Sequence, residues 1–241
     1  MAGLPCGAER GGGVVAGGLA QCVRHRGPSH PRTMATLTGH TDNVFTVAFS
    51  PDGHTLATAG ADLTPRLWDV TDPHHPTAMA TLTGHTNEVI DVAFSPDGHT
   101  LATSSGDHTA RLWDLTDLHH PALLTTLTDH SNSVNSVAFS PNGHTLLTGG
   151  YDNTARLWDI TNLRHPGSPT TLTGHTDSVN SVIFSPNGHT VITGSGDATV
   201  RLWDTDTDRI TKRVCALAHS PITPAEWSQY FPDLAYQPPC Q

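Results

Sequence analysis

Histidine, threonine and aspartate recur in this chain at fixed distances, and they are the side-chain types from which a nucleophilic triad is built. His40, Thr58 and Asp62 are followed by His85, Thr103 and Asp107, by His130, Thr148 and Asp152, and by His175, Thr193 and Asp197. A tryptophan closes each set, at Trp68, Trp113, Trp158 and Trp203. The offsets of Thr, Asp and Trp from their His are 18, 22 and 28 in every set. A working triad normally occurs once, beside an oxyanion hole, so four equivalent copies point to architecture rather than chemistry.

Other reactive side chains are less organised. His74-His75, His119-His120 and His165 recur in one loop of the first three units, but no Cys, Asp or Glu converges on them at metal-ligand spacing, and they read as polar loop residues. The same holds for His54, His99, His144 and His189, which follow a Pro-Asp/Asn-Gly turn. Cys6, Cys22, Cys215 and Cys240 lie outside the regular part of the chain, the nearest two separated by fifteen residues, which is no zinc spacing. No glycine-rich phosphate loop with a lysine is present. No cofactor is therefore expected.

Charge and composition narrow the classes further. The formal charge of −10 opposes binding to nucleic acid, although protonation of the 17 histidines below roughly pH 6.5 would offset much of it. No run of 18 apolar residues suggests a membrane span. The glycine-rich start resembles a signal peptide only superficially, because Glu9 and Arg10 interrupt it and Gly11 to Gly13 dilute it; a cytoplasmic location with free thiols is expected. With 22 Gly, 18 Pro and only 14% charged residues, the chain suits many short strands joined by tight turns.

The elements that position the recurring residues follow from a 45-residue repeat. Thr36-Leu37-Thr38-Gly39-His40 returns at Thr81 to His85, at Thr126 to His130 with Asp129 in place of Gly, and at Thr171 to His175. Trp-Asp returns at 68–69, 113–114, 158–159 and 203–204, and Phe-Ser-Pro-Asp/Asn-Gly-His-Thr begins at Phe49, Phe94, Phe139 and Phe184. Each repeat predicts four strands. In the first they are Val44 to Phe49, Thr55 to Ala59, Arg66 to Val70 and Thr77 to Leu82, with turns at Pro51-Asp52-Gly53 and Ala61-Asp62-Leu63 and a loop over Asp72 to Pro76. Strands apolar on both faces need cover on both sides, which stacked four-stranded sheets provide.

Gly-His and Trp-Asp markers at this period closely resemble the WD-repeat family of β-propellers, over residues 34 to about 218. The resemblance implies an all-β fold of four blades, each of four antiparallel strands. It also implies that each His–Thr–Asp–Trp set forms a buried hydrogen-bonded tetrad, an arrangement that satisfies every polar member while pinning three strands and a turn together. The family's rings usually have seven blades, so four predict a partial or open propeller.

The ends carry their own expectations. Arg209 to Leu217 is expected to be the outer strand of the fourth blade. Thr33 to Leu37 is expected to be an outer strand whose blade would lie upstream, where Gly13, Gly17 and Val23 occupy the Thr, Asp and Trp places. Residues 1–32 are then a glycine-rich leader expected to be disordered, 33–218 the four blades, and 219–241 a tail. In the tail, Thr223 and Pro224 predict a helix start, and Trp227, Tyr230 and Tyr236 are expected to pack on the last blade. This tail resembles those that end actinobacterial WD-repeat signalling proteins, which implies a bacterial signalling context.

Function is expected where the repeats disagree. Asn43, Glu88, Ser133 and Ser178 vary after the Gly-His, as do Phe45, Ile90, Asn135 and Asn180, and Ala61, Gly106, Tyr151 and Gly196 before the Asp. In the family these positions line the top face that engages peptides, which makes Phe45, Ile90 and Tyr151 candidate partner-binding anchors. The expectation is a noncatalytic protein-interaction scaffold or sensor module, part of a larger signalling protein. The alternatives are a hydrolase-like enzyme using a propeller channel and a truncated remnant without function. An open arc should also expose apolar blade faces through which the chain self-associates.

Overall fold

The computed structural model describes residues 32–206. They form fifteen strands in four antiparallel sheets, with no helix long and apolar enough to cross a membrane among them. The first sheet holds β1 (Val44–Phe49), β2 (Thr55–Gly60), β3 (Arg66–Asp69) and β4 (Thr77–Thr81). The second holds β5 (Val89–Phe94), β6 (Thr100–Ser105), β7 (Ala110–Asp114) and β8 (Ala122–Leu127). The third holds β9 (Val134–Phe139), β10 (Thr145–Gly150), β11 (Ala155–Asp159) and β12 (Thr170–Leu172). The fourth has β13 (Val179–Phe184), β14 (Thr190–Ser195) and β15 (Val200–Asp204) among the described residues. Every sheet is a meander with strands hydrogen-bonded in chain order. These are propeller blades.

Register repeats with the sequence. Val47 pairs with Thr58 and Leu56 with Trp68; one repeat on, Val92 pairs with Thr103 and Leu101 with Trp113. Each inner strand carries a bulge at its start, between Val44 and Thr46 and at the equivalent places in the other three blades. The Ser-Pro-Asp/Asn-Gly-His turn has a local cause. Ser50 Oγ and the His54 N–H both donate to Asp52 Oδ1, and Gly53 takes φ +75°, where a side chain is disfavoured.

The core lies between blades, not within them. Ala57, Ala59 and Leu67 of blade one close on Val89, Val92 and Leu101 of blade two. Ala102, Ala110 and Leu112 of blade two close on Val134, Val137 and Leu146 of blade three, and Leu147 and Ala155 of blade three on Val179, Val182 and Val191 of blade four. Inner strands pack in the order β1, β5, β9, β13, and β13 makes no such joint with β1, so the four blades are an open arc.

Two strand ends fall one residue short of expectation, at Asp69 and Thr81. A larger correction concerns Thr33 to Leu37, which forms no strand. A strand needs a ladder partner, and none of β1 to β15 pairs with this segment. The expected outer strand Arg209 to Leu217, the tail's helix start and aromatic set, and all four cysteines lie outside the described residues.

Candidate functional site

The recurring His, Thr, Asp and Trp residues come together in every blade. In the first, His40 sits in the loop before β1, Thr58 on β2, Asp62 in the turn after β2, and Trp68 on β3. His Nδ1 stands 2.8–2.9 Å from the Asp carboxylate and His Nε2 2.7 Å from Thr Oγ1 in all four blades. Trp Nε1–H donates to the same Thr oxygen at 2.8–3.0 Å. A backbone N–H, that of Thr41, Thr86, Ser131 or Thr176, adds a further donor to each carboxylate.

Proton directions follow from the donors. The Trp N–H can only donate, so it takes a lone pair of Thr Oγ1 and leaves that hydroxyl's single proton for His Nε2. His Nδ1–H then donates to Asp. The polarity is that of a Ser-His-Asp triad, but the hydroxyl is fully buried in Thr103, Thr148 and Thr193 and one of its lone pairs is occupied. Such an oxygen cannot reach a substrate.

Electrostatics agree with a neutral imidazole. Burial pushes His85 and His130 below the usual histidine pKa. Burial also works against the Asp107 charge, but hydrogen bonds from Thr109, His85 and the Thr86 N–H outweigh it and hold the carboxyl down to about 2. Asp62 and Asp152 are lowered against burial in the same way, and the Thr199 hydroxyl leads the lowering of Asp197.

An arginine belongs to this unit and was not anticipated. Arg66, Arg111, Arg156 and Arg201 stand two residues before each Trp. Arg156 Nη2 lies 3.6 Å from Asp152, and Arg66 Nε 4.0 Å from Asp62. The glycine before the tetrad His makes room for it. Gly39, Gly84 and Gly174 take φ of +139° to +149°, and a Cβ on them would meet the Nη1 of Arg66, Arg111 and Arg201 at 3.1, 2.5 and 2.8 Å. The signal was in the sequence, since the arginine recurs at the same 45-residue period.

A second unanticipated group joins blades to one another. Asp91, on β5, accepts from Val92 N–H, Ser136 Oγ and Val137 N–H at 2.9–3.1 Å, and from Thr46 Oγ1 at 3.3 Å. It ties the inner strands of the first three blades. Burial raises its pKa despite these donors. Thr46, Ser136 and Ser181 hold the equivalent places, so Asp91 is the one carboxylate in that row.

Phe45, Ile90 and Tyr151 lie at the end of the sheets where the inner strands begin. Phe45 is the bulged residue of β1 and is exposed; Ile90 is its half-buried equivalent in β5. Tyr151, in the turn after β10, is exposed, and its N–H donates to Ser133 O at 2.8 Å. The same bond joins Ala61 to Asn43, Gly106 to Glu88 and Gly196 to Ser178, so the variable positions are neighbours in space. In the loops below, His75 and His120 each pair with an Asp three residues earlier, and among the described residues no three metal-ligating side chains converge.

A family model described as "WD domain, G-beta repeat" matches residues 31–69, 76–114, 121–159 and 167–204. Over 37 residues the chain is 54% identical to the B-type cell cycle switch protein ccs52A of Medicago truncatula. That match covers 15% of this chain, which spans only 8% of the relative's length.

Proposed function

This chain belongs to the WD-repeat family, and on that premise we propose that it is a noncatalytic scaffold or sensor module whose variable blade edges bind protein or peptide partners. WD repeats generally mediate protein–protein contacts. The observation that carries the reading here is the contrast between frame and edge. Each blade's His, Asp, Thr and Trp is committed to the same internal hydrogen bonds, while Phe45 and Tyr151 present aromatic rings to solvent beside polar neighbours. Exposed aromatic groups of this kind are frequent binding anchors. We further propose a role within a larger cytoplasmic signalling protein. The matched relative is named as a cell cycle switch protein.

A displayed peptide library selected on the immobilised chain tests the surface. Tyr151→Ala should weaken the selected peptides by about 1–2 kcal/mol and leave the melting temperature unchanged. Lost stability with intact binding would place Tyr151 in the fold and not in the interface.

A further inference from the structure

Each blade has a leading face, built on the valines of its inner strand, and a trailing face, built on its second and third strands. At the joint between blades three and four the fit is tight at Gly149. A Cβ there would meet Val182 Cγ1 at 2.7 Å and Val179 Cγ1 at 2.8 Å. Gly194 holds the same place in blade four, and a Cβ there meets nothing within 4 Å. Around it Leu202 is 71% exposed, although its equivalents Leu67 and Leu112 are 0% exposed. Val200 is exposed where Ala110 and Ala155 are buried.

The leading face of blade one shows the complementary defect. Val47 is 63% exposed, against 4–6% for Val92, Val137 and Val182. Val44 is exposed where Val89, Val134 and Val179 are fully buried, and Phe49 is exposed where Phe184 is buried.

These faces are the two halves of a joint that the chain already makes three times. Gly149 receives Val179 and Val182; Gly194 is the equivalent socket, and Val44 and Val47 are the equivalent knobs. The polar contacts of the joint are duplicated too. Asn135 Nδ2 donates to Val179 O at 3.1 Å, and Asn180 and Val44 hold those places at the open ends. The Val182 N–H approaches Ser136 Oγ at 3.4 Å, and Val47 and Ser181 hold those places.

We propose that a second copy of this chain docks head to tail, with Val44 and Val47 of one copy entering the Gly194 socket of the other. Two copies joined twice complete eight blades, within the range over which propellers close. This surface adjoins the peptide-binding edge at Phe45 and Asn180, but its valine knobs and Gly194 socket do not depend on that edge binding peptides.

Light scattering behind a sizing column should give twice the 25.6 kDa mass of one chain. Gly194→Phe fills the socket and Val47→Asp places a charge on the knob. Val47 is exposed and a Cβ on Gly194 has open space before it, so either variant should give a monomer with an unchanged circular dichroism spectrum. Crosslinking then fixes the polarity, with the four native cysteines changed to serine. The template joint places a Gly149 Cβ 3.4 Å from Val179 Cβ, close to the spacing of about 3.5–4.5 Å that a disulfide spans. A Val44→Cys chain mixed with a Gly194→Cys chain should therefore oxidise to a covalent heterodimer, while neither does so alone. A wild-type monomer at all concentrations would mean that the chain's own residues 1–31 or 207–241 cover these faces, or that nothing does, and would overturn the proposal. Homodimers of the Val44→Cys chain would overturn it in favour of a face-to-face pair.

Discussion

A tetrad histidine works as a neutral relay between a hydroxyl it accepts from and a carboxylate it donates to. Removing one member therefore leaves the others buried and unpaired. Trp113→Ala deletes a buried ring and the N–H that holds Thr103, and it should cost about 3–5 kcal/mol in denaturant unfolding. Full retention of the midpoint would contradict a stabilising role for the tetrad. Protonation acts on the same bonds. Because burial lowers the pKa of His85 and His130 beneath the ordinary histidine value of 6.5, the unfolded chain takes up those protons first. Their stabilisation is complete above that value and is lost as pH falls from it. Asp107, held to about 2, contributes stability above its ordinary 3.8 that is lost as pH falls through about 2. Unfolding free energy measured in urea should thus decline from pH 7.5 to 5.5 and again below pH 4; a flat profile over the first interval would contradict the neutral, buried imidazoles.

Strands are held within a blade by their ladders and between blades by apolar packing plus the inner-strand row of hydrogen bonds made by Thr46, Asp91 and Ser136. Asp91 is where that row becomes directional, because one carboxylate accepts from three successive inner strands. Asp91→Ala leaves the Val137 N–H and two hydroxyls without their acceptor and should cost about 1–3 kcal/mol. The loss should appear as weaker joints, with amide exchange faster in β1, β5 and β9 than in strands remote from the row.

For the arc of four blades, cover decides stability. Among the described residues, blades two and three have a neighbour on each side, whereas blade one has none on its leading face and blade four none on its trailing face. Amide protection in β6, β7 and β10 should therefore be independent of protein concentration, and protection in β1 and β14 should rise with it. Equal, concentration-independent protection across all four blades would show that the end faces are already covered.

The blade frame was legible in the residues because its determinants are local. Turn, register and tetrad all close within one 45-residue unit, so four copies of the same letters specify four copies of the same sheet. The arginine is legible by the same period, since Arg66, Arg111, Arg156 and Arg201 recur 45 residues apart. Asp91 was not legible: its partners lie 45 and 46 residues away, at a position where the repeats differ, and nothing within one repeat says that inner strands share a carboxylate. Residues 33–37 failed in the opposite sense. Their letters match an outer strand, yet a strand is a relation between two segments, and only the assembled sheets decide whether the second is there. The open joint belongs to the same class. The sequence carries the same valine knobs in each repeat and a small residue at each socket, Ala59, Ser104, Gly149 and Gly194, and only the tertiary structure decides which of them meet and which are left facing water.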